Sequence, residues 1–197
     1  MPWGTGEIAA LLNAATVTGP AGEAVDLASA TTSVVVEARR AHDGGSKLIF
    51  VGVGADAGSA SHMAIDFSKN GNVRALSFDA ATAITCLGND LGFEVMFAKQ
   101  FELHARAGDI AIVIGGRGTD ETILNAAKAA RKLNLKVVTT TASLGDSPLS
   151  ELGDLNFRLA TDRSDVATIA QLALCHSWVD FLCGWRSEEI PHLRTGR

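Results

Sequence analysis

The sequence has no tyrosine, and aromatic residues make up only 6% of it. Alanine, valine, leucine and isoleucine must therefore fill the core that a 47% apolar chain of 197 residues can bury. Cysteine is scarce: Cys86, Cys175 and Cys183 are an odd, scattered set without C-x-x-C spacing. A reduced, cytoplasmic compartment is the simplest setting for such thiols. Cys175 and Cys183 lie eight apart in a helical pattern and read as small core residues. Dense Lys/Arg runs are also missing. With 17 basic against 22 acidic residues and a net charge of −5, the chain has no nucleic-acid footprint. Apolar runs such as Ile110–Ile114 are too short to cross a bilayer, so no membrane association is expected. The first ten residues lack a basic stretch followed by a long apolar one, so no secretory leader is expected. No low-complexity tract or internal repeat stands out, and the length favours one domain.

The patterning that remains is regular. Helical spacing runs over 7–16 and again over about 21–41, ending at Gly44 and Gly45. Strands are expected at 47–51, 73–77, 109–114, 136–139 and 155–159. Between and after them, helices are expected at 59–68, 81–87, 92–105, 120–133 and 165–183. Strands alternating with helices make right-handed βαβ units, hence a parallel sheet covered on both faces. The expectation is a three-layer α/β/α sandwich around a five-stranded parallel sheet. N-terminal helices at 6–43 precede an α/β core at 46–184, and a polar tail follows at 185–197.

In such sheets ligands bind beyond the carboxyl ends of the strands. Two glycine-rich segments fall there. Gly52-Val53-Gly54-Ala55-Asp56-Ala57-Gly58 matches only part of a dinucleotide fingerprint, and no GxxxxGK[ST] occurs, so no nucleotide cofactor is expected. Gly115-Gly116-Arg117-Gly118-Thr119 precedes a helix whose N-terminus favours anions, and Arg117 offers a forked donor set. Asp120 and Glu121 suit the helix start but oppose an incoming phosphate.

Away from the glycines, His62 and Asp66 are four apart on one helical face. That spacing suits a metal, a proton transfer or a plain solvated pair. His176 sits in an apolar helical run, where a satisfied core or interface histidine is the simplest reading. Asn89-Asp90 reads as a loop between helices, with a capping role as the simplest one.

Three segments together carry a resemblance. They are Gly52-x-Gly54-x3-Gly58 with His62-x3-Asp66-Phe67, then Leu87-Gly-Asn89-Asp90-x-Gly-Phe-Glu94-x2-Phe97, and Ala107-Gly-Asp109. Over about 23–184 the chain resembles bacterial sedoheptulose-7-phosphate isomerases (phosphoheptose isomerases), built on the sugar isomerase, or SIS, domain. The resemblance implies a flavodoxin-like sandwich and a homotetramer with sites between subunits. It also implies conversion of a ketoheptose phosphate to an aldoheptose phosphate, for surface-polysaccharide precursors, through an enediol.

Residue by residue, the family's catalytic acid and histidine fall on Asp66 and His176, and zinc, where bound, on His62, Asp66 and His176. Substrate contacts fall on Val53, Gly54, Ala55, Asp56, Asn89, Asp90, Gly115, Gly116, Arg117, Asp120 and Thr168. The family's pattern is changed in three places. Where many members read Gly-Asn-Gly-Gly-Ser, this chain reads Gly52-Val53-Gly54-Ala55-Asp56; where the family's phosphate loop is rich in serine, it reads Gly115-Gly116-Arg117-Gly118-Thr119-Asp120; and Thr168 replaces a Gln or Glu, so one metal or substrate ligand is missing. The alternatives are a non-catalytic SIS protein that binds a sugar phosphate or a protein partner, and an isomerase for an unphosphorylated or nucleotide-linked sugar.

Overall fold

The computed structural model describes residues 5–184; the polar tail expected at 185–197 lies outside the described residues. The chain runs α1 (Thr5–Asn13), β1 (Thr16–Thr18), β2 (Ala24–Val25), α2 (Leu27–Asp43), β3 (Leu48–Gly52), α3 (Ala55–Lys69), β4 (Ala75–Ser77), α4 (Ala81–Leu91), α5 (Met96–His104), β5 (Ile110–Ile114), α6 (Glu121–Lys132), β6 (Lys136–Ala142), β7 (Leu155–Leu159) and α7 (Ser164–Cys183). The strands lie in the order β2-β1-β7-β6-β5-β3-β4. The five from β3 to β7 are mutually parallel, as expected.

The strand sequences explain the layers. Every residue of β3 and of β5 is buried, so alternate side chains feed two cores. Leu48 and Phe50 face α2, α3 and α7 with Val34, Met63, Phe67 and Trp178. Ile49 and Val51 face α5 and α6 with Phe97, Phe101, Ile123 and Ala127. With so few aromatic residues, alanine carries much of the close helix contact: Ala126, Ala127 and Ala130 of α6 are fully buried.

The expectation for the N-terminal region needs correction. The helix expected from about 21 begins only at Leu27, because Asp26 caps it by accepting from the N–H of Ser29 at 2.9 Å. Upstream lies a hairpin. The Gly19 N–H donates to the carbonyl of Glu23 at 2.8 Å, and Gly22 supplies a positive φ of 79°. Its strand β1 adds antiparallel to β7, so the sheet has seven strands and not five. Asn156 of β7 anchors this addition, donating to the Thr18 carbonyl at 3.3 Å while accepting from the Thr139 hydroxyl at 2.8 Å.

The long helix expected at 165–183 is present as α7. At 20 residues it is long and apolar enough to cross a membrane by length and composition alone. In this fold it is a core helix, with Val166, Ala170, Leu174, Cys175, Trp178 and Val179 all buried. Trp178 is fully enclosed and packs on Phe157 with ring centroids 5.0 Å apart.

Candidate active site

The carboxyl ends of β3 and β5 open into a pocket of about 180 Å³. It is lined by Val53 and Asp56 from the first glycine turn and by Gly115, Gly116, Arg117, Thr119 and Asp120 from the second. Glycine is required at the rim for steric reasons. A Cβ on Gly52 would run into the backbone carbonyl of Asp56, and Gly116, with φ 49°, would place one 3.2 Å from the Asp56 carboxylate. This lets α3 start earlier than the spacing suggested, at Ala55, so Asp56 belongs to its first turn.

Asp56 is 7% exposed. Its carboxylate accepts from the Thr168 hydroxyl on α7 at 3.2 Å, and the Gly116 backbone lies beside it. Burial pushes its pKa above the ordinary 3.8, and the Thr168 hydrogen bond and the Gly116 backbone pull the other way. Asp120 caps α6, accepting from the N–H groups of Thr122 and Ile123 at 2.9 and 3.4 Å. Arg117 is exposed at the mouth.

The second group of side chains lies further along the same two helices. The Nε2 atoms of His62 and His176 are 3.0 Å apart, and the rings meet edge to face. Oδ2 of Asp66 lies 3.4 Å from His62 Nε2 and 3.5 Å from His176 Nδ1. Asn70 steadies the carboxylate by donating to Oδ1 at 3.3 Å. One ligand atom from each of the three residues falls within 4.8 Å of the others. Two imidazoles and one carboxylate are a donor set that suits zinc.

α3 and α7 run side by side in the same direction, so Asp56 meets Thr168 near their starts and Asp66 meets His176 further on. Ten residues of helix, about 15 Å at 1.5 Å per residue, separate the two acids. The pocket and the His62–Asp66–His176 group are thus neighbouring parts of one helix pair, and the pocket wall includes none of the three. Gly54 and Ala55 are exposed at the turn and do not line it either. Asn89 and Asp90 sit in the last turn of α4 instead of the expected loop, exposed and hydrogen-bonded to each other at 2.8 Å.

Gln171, one turn after Thr168, does not take that residue's place, and Asn70 is the site residue that sequence spacing missed. Gln171 is fully buried and donates to the Thr140 hydroxyl at 3.0 Å, so it turns to the sheet and away from the histidines. Asn70 is four residues after Asp66, a spacing that was available to read.

No family model matches the chain. The chain is 32% identical over 134 residues to phosphoheptose isomerase from Campylobacter concisus, covering 64% of this chain and 69% of that protein. Phosphoheptose isomerase from Aliarcobacter butzleri is 31% identical over 155 residues, covering 75% and 79%. Among solved structures, phosphoheptose isomerase from Neisseria gonorrhoeae superposes with a TM-score of 0.73 at 25% identity, over 79% of this chain and 87% of that one. By sequence and by fold, the chain belongs to the phosphoheptose isomerase family.

Proposed function

We propose that the protein is an aldose–ketose isomerase of the phosphoheptose isomerase type, acting on a seven-carbon sugar. The observation that carries this reading is the meeting of His62, Asp66 and His176, brought from two helices to within 4.8 Å. Isomerisation removes a proton from C1 of the open-chain ketose and gives the C2 oxygen a proton, leaving an enediol. A proton then returns to C2 as the C1 oxygen loses its own, which yields the aldose. A carboxylate and an imidazole side by side suit these transfers: Asp66 handles the carbon-bound proton, and His176 serves the oxygens.

His62, Asp66 and His176 are the residues that would hold zinc, which polarises the sugar's carbonyl and hydroxyl oxygens when bound. Thr168 holds Asp56 in place, and the glycine turns shape the far end of the substrate site. The relatives' names imply a phosphoheptose substrate, for which sedoheptulose 7-phosphate is the candidate that the sequence resemblance supplies. Exposed Asn89 and Asp90 fit a site completed by a neighbouring subunit in a homotetramer. The three free thiols fit a reducing, cytoplasmic setting.

The test is turnover and C1 proton exchange in deuterated water, followed by NMR, with sedoheptulose 7-phosphate and free sedoheptulose and with zinc added. Turnover of either sugar is expected, together with a loss of about 100-fold or more in Asp66→Asn and in His176→Asn. Neither turnover nor exchange with either sugar would sink the isomerase reading. The second reading, a non-catalytic sugar binder, is favoured by the separation of the pocket from the histidines. It predicts ligand binding that both variants keep.

A further inference from the structure

The pocket beyond β3 and β5 has the features that usually hold an anion: a glycine-rich turn and a helix N-terminus. In this chain several of those donors are already taken from within. The Thr168 hydroxyl donates to the Asp56 carboxylate at 3.2 Å, and the N–H groups of Thr122 and Ile123 in the first turn of α6 donate to Asp120. The turn passes close to Asp56: a Cβ at position 116 would lie 3.2 Å from its Oδ2, and the φ of 49° there favours glycine. An incoming phosphate would find these donors spent and two fixed carboxylates facing a space of about 180 Å³, with exposed Arg117 as the one cation lining it among the described residues. Like charges at close range in a partly enclosed site are strongly unfavourable. A hydroxyl group fits the same space well, because it can donate to a carboxylate oxygen.

We propose that Asp56, seconded by Asp120, acts as a built-in anion that makes this end of the site select a neutral, hydroxyl-terminated sugar over one ending in phosphate. The proposal rests on the isomerase reading and specifies only the far end of the substrate. Discrimination here comes from a repulsive element, which costs nothing against the neutral sugar.

The experiment compares kcat/KM for sedoheptulose and for sedoheptulose 7-phosphate in the wild type, Asp56→Ser, Asp56→Asn and Asp120→Asn. The wild type should favour the free sugar. The ratio should move toward the phosphorylated sugar by about tenfold or more in the Asp56 variants, mainly through KM, and less in Asp120→Asn. Thermal unfolding of each variant reports whether it is folded, and Asp120→Asn tests the pocket should the Asp56 variants not fold. A wild type that favours the phosphorylated sugar, or a ratio that none of the folded variants moves, overturns the proposal. Should neither sugar be turned over, the isomerase reading fails on its own. The proposal is then judged by calorimetric titration with inorganic phosphate: binding gained in Asp56→Ser but weak in the wild type supports it, and equal affinity overturns it.

Discussion

Single side chains decide what this site can hold. His62 is half exposed, and its Nε2 faces both Asp66 and His176, so removing it leaves two donors where three are needed to grip a metal firmly. His62→Ala removes a direct donor and should lower zinc affinity by more than about 100-fold, beyond the cost of losing an outer-shell partner, as calorimetry against a zinc chelator would reveal. Unchanged affinity would rule the group out as a metal centre.

Asp56 makes a different prediction, on stability. Its folded pKa lies above the ordinary 3.8 because it is buried. Between the unfolded and folded values, the folded state therefore binds more protons than the unfolded state. Its stabilising contribution is full below the ordinary carboxylate pKa and is lost as pH rises through the folded value. Asp56→Asn carries no such dependence, so its stability relative to the wild type should improve as pH rises from about 4 to about 7.5. Urea unfolding of both proteins at the two pH values measures this, and a constant difference contradicts it.

At the scale of elements, α3 and α7 carry the chemistry because their other faces are locked into the core. On α3, Met63, Ala64 and Phe67 are buried while His62 and Asp66, from the same turns, reach α7. On α7, Cys175 and Trp178 are fully enclosed on either side of His176 in sequence. Trp178→Ala should cost about 3–5 kcal/mol in urea unfolding, as a large buried aromatic does. A change under about 1 kcal/mol would show that α7 is not packed as described. Gly52→Ala forces a Cβ against the Asp56 carbonyl, so the start of α3 has to shift and the pocket with it. We expect it to weaken sugar binding more than Gly58→Ala, where a Cβ meets open space. Equal binding by the two variants in a thermal-shift titration would contradict this.

At the scale of the whole molecule, large apolar side chains remain on the surface of the same two helices. Ile65 of α3 is 61% exposed, and Ile169 and Phe181 of α7 are 54% and 52% exposed. Single exposed hydrophobic residues are ordinary, but these lie on the helices that also hold the histidines. Self-association through them is the expected outcome, read by sedimentation equilibrium as a mass above 20.5 kDa that Ile65→Glu lowers. A wild type that sediments as a monomer at micromolar concentration removes the expectation.

The parallel core was legible because β3 and β5 are unbroken apolar runs, a pattern that needs cover on both faces. The His62–Asp66 pair was legible from helical periodicity, since spacing of four fixes a shared face whatever the rest of the chain does. The N-terminal hairpin was harder to read. The β-branched residues Thr16, Val17 and Thr18 before Gly19 and Pro20 were its signal, but a strand of three residues exists only by pairing with β7, a partner nearly 140 positions away.

His176 was the least determined by its own neighbourhood, for an apolar helix around a histidine is equally suited to a plain core. Its distance from Asp66 is set by how α3 and α7 pack side by side on one face of the sheet, and helix packing is a long-range property. The same holds for Asp56: its position in a glycine turn is local, while its burial, its use of the Thr168 donor and its closeness to Gly116 arise only when three distant segments meet. Local periodicity thus determined which residues share a face. The packing of the helices on the sheet decided which faces meet, because contact between segments far apart in sequence depends on the whole core being filled.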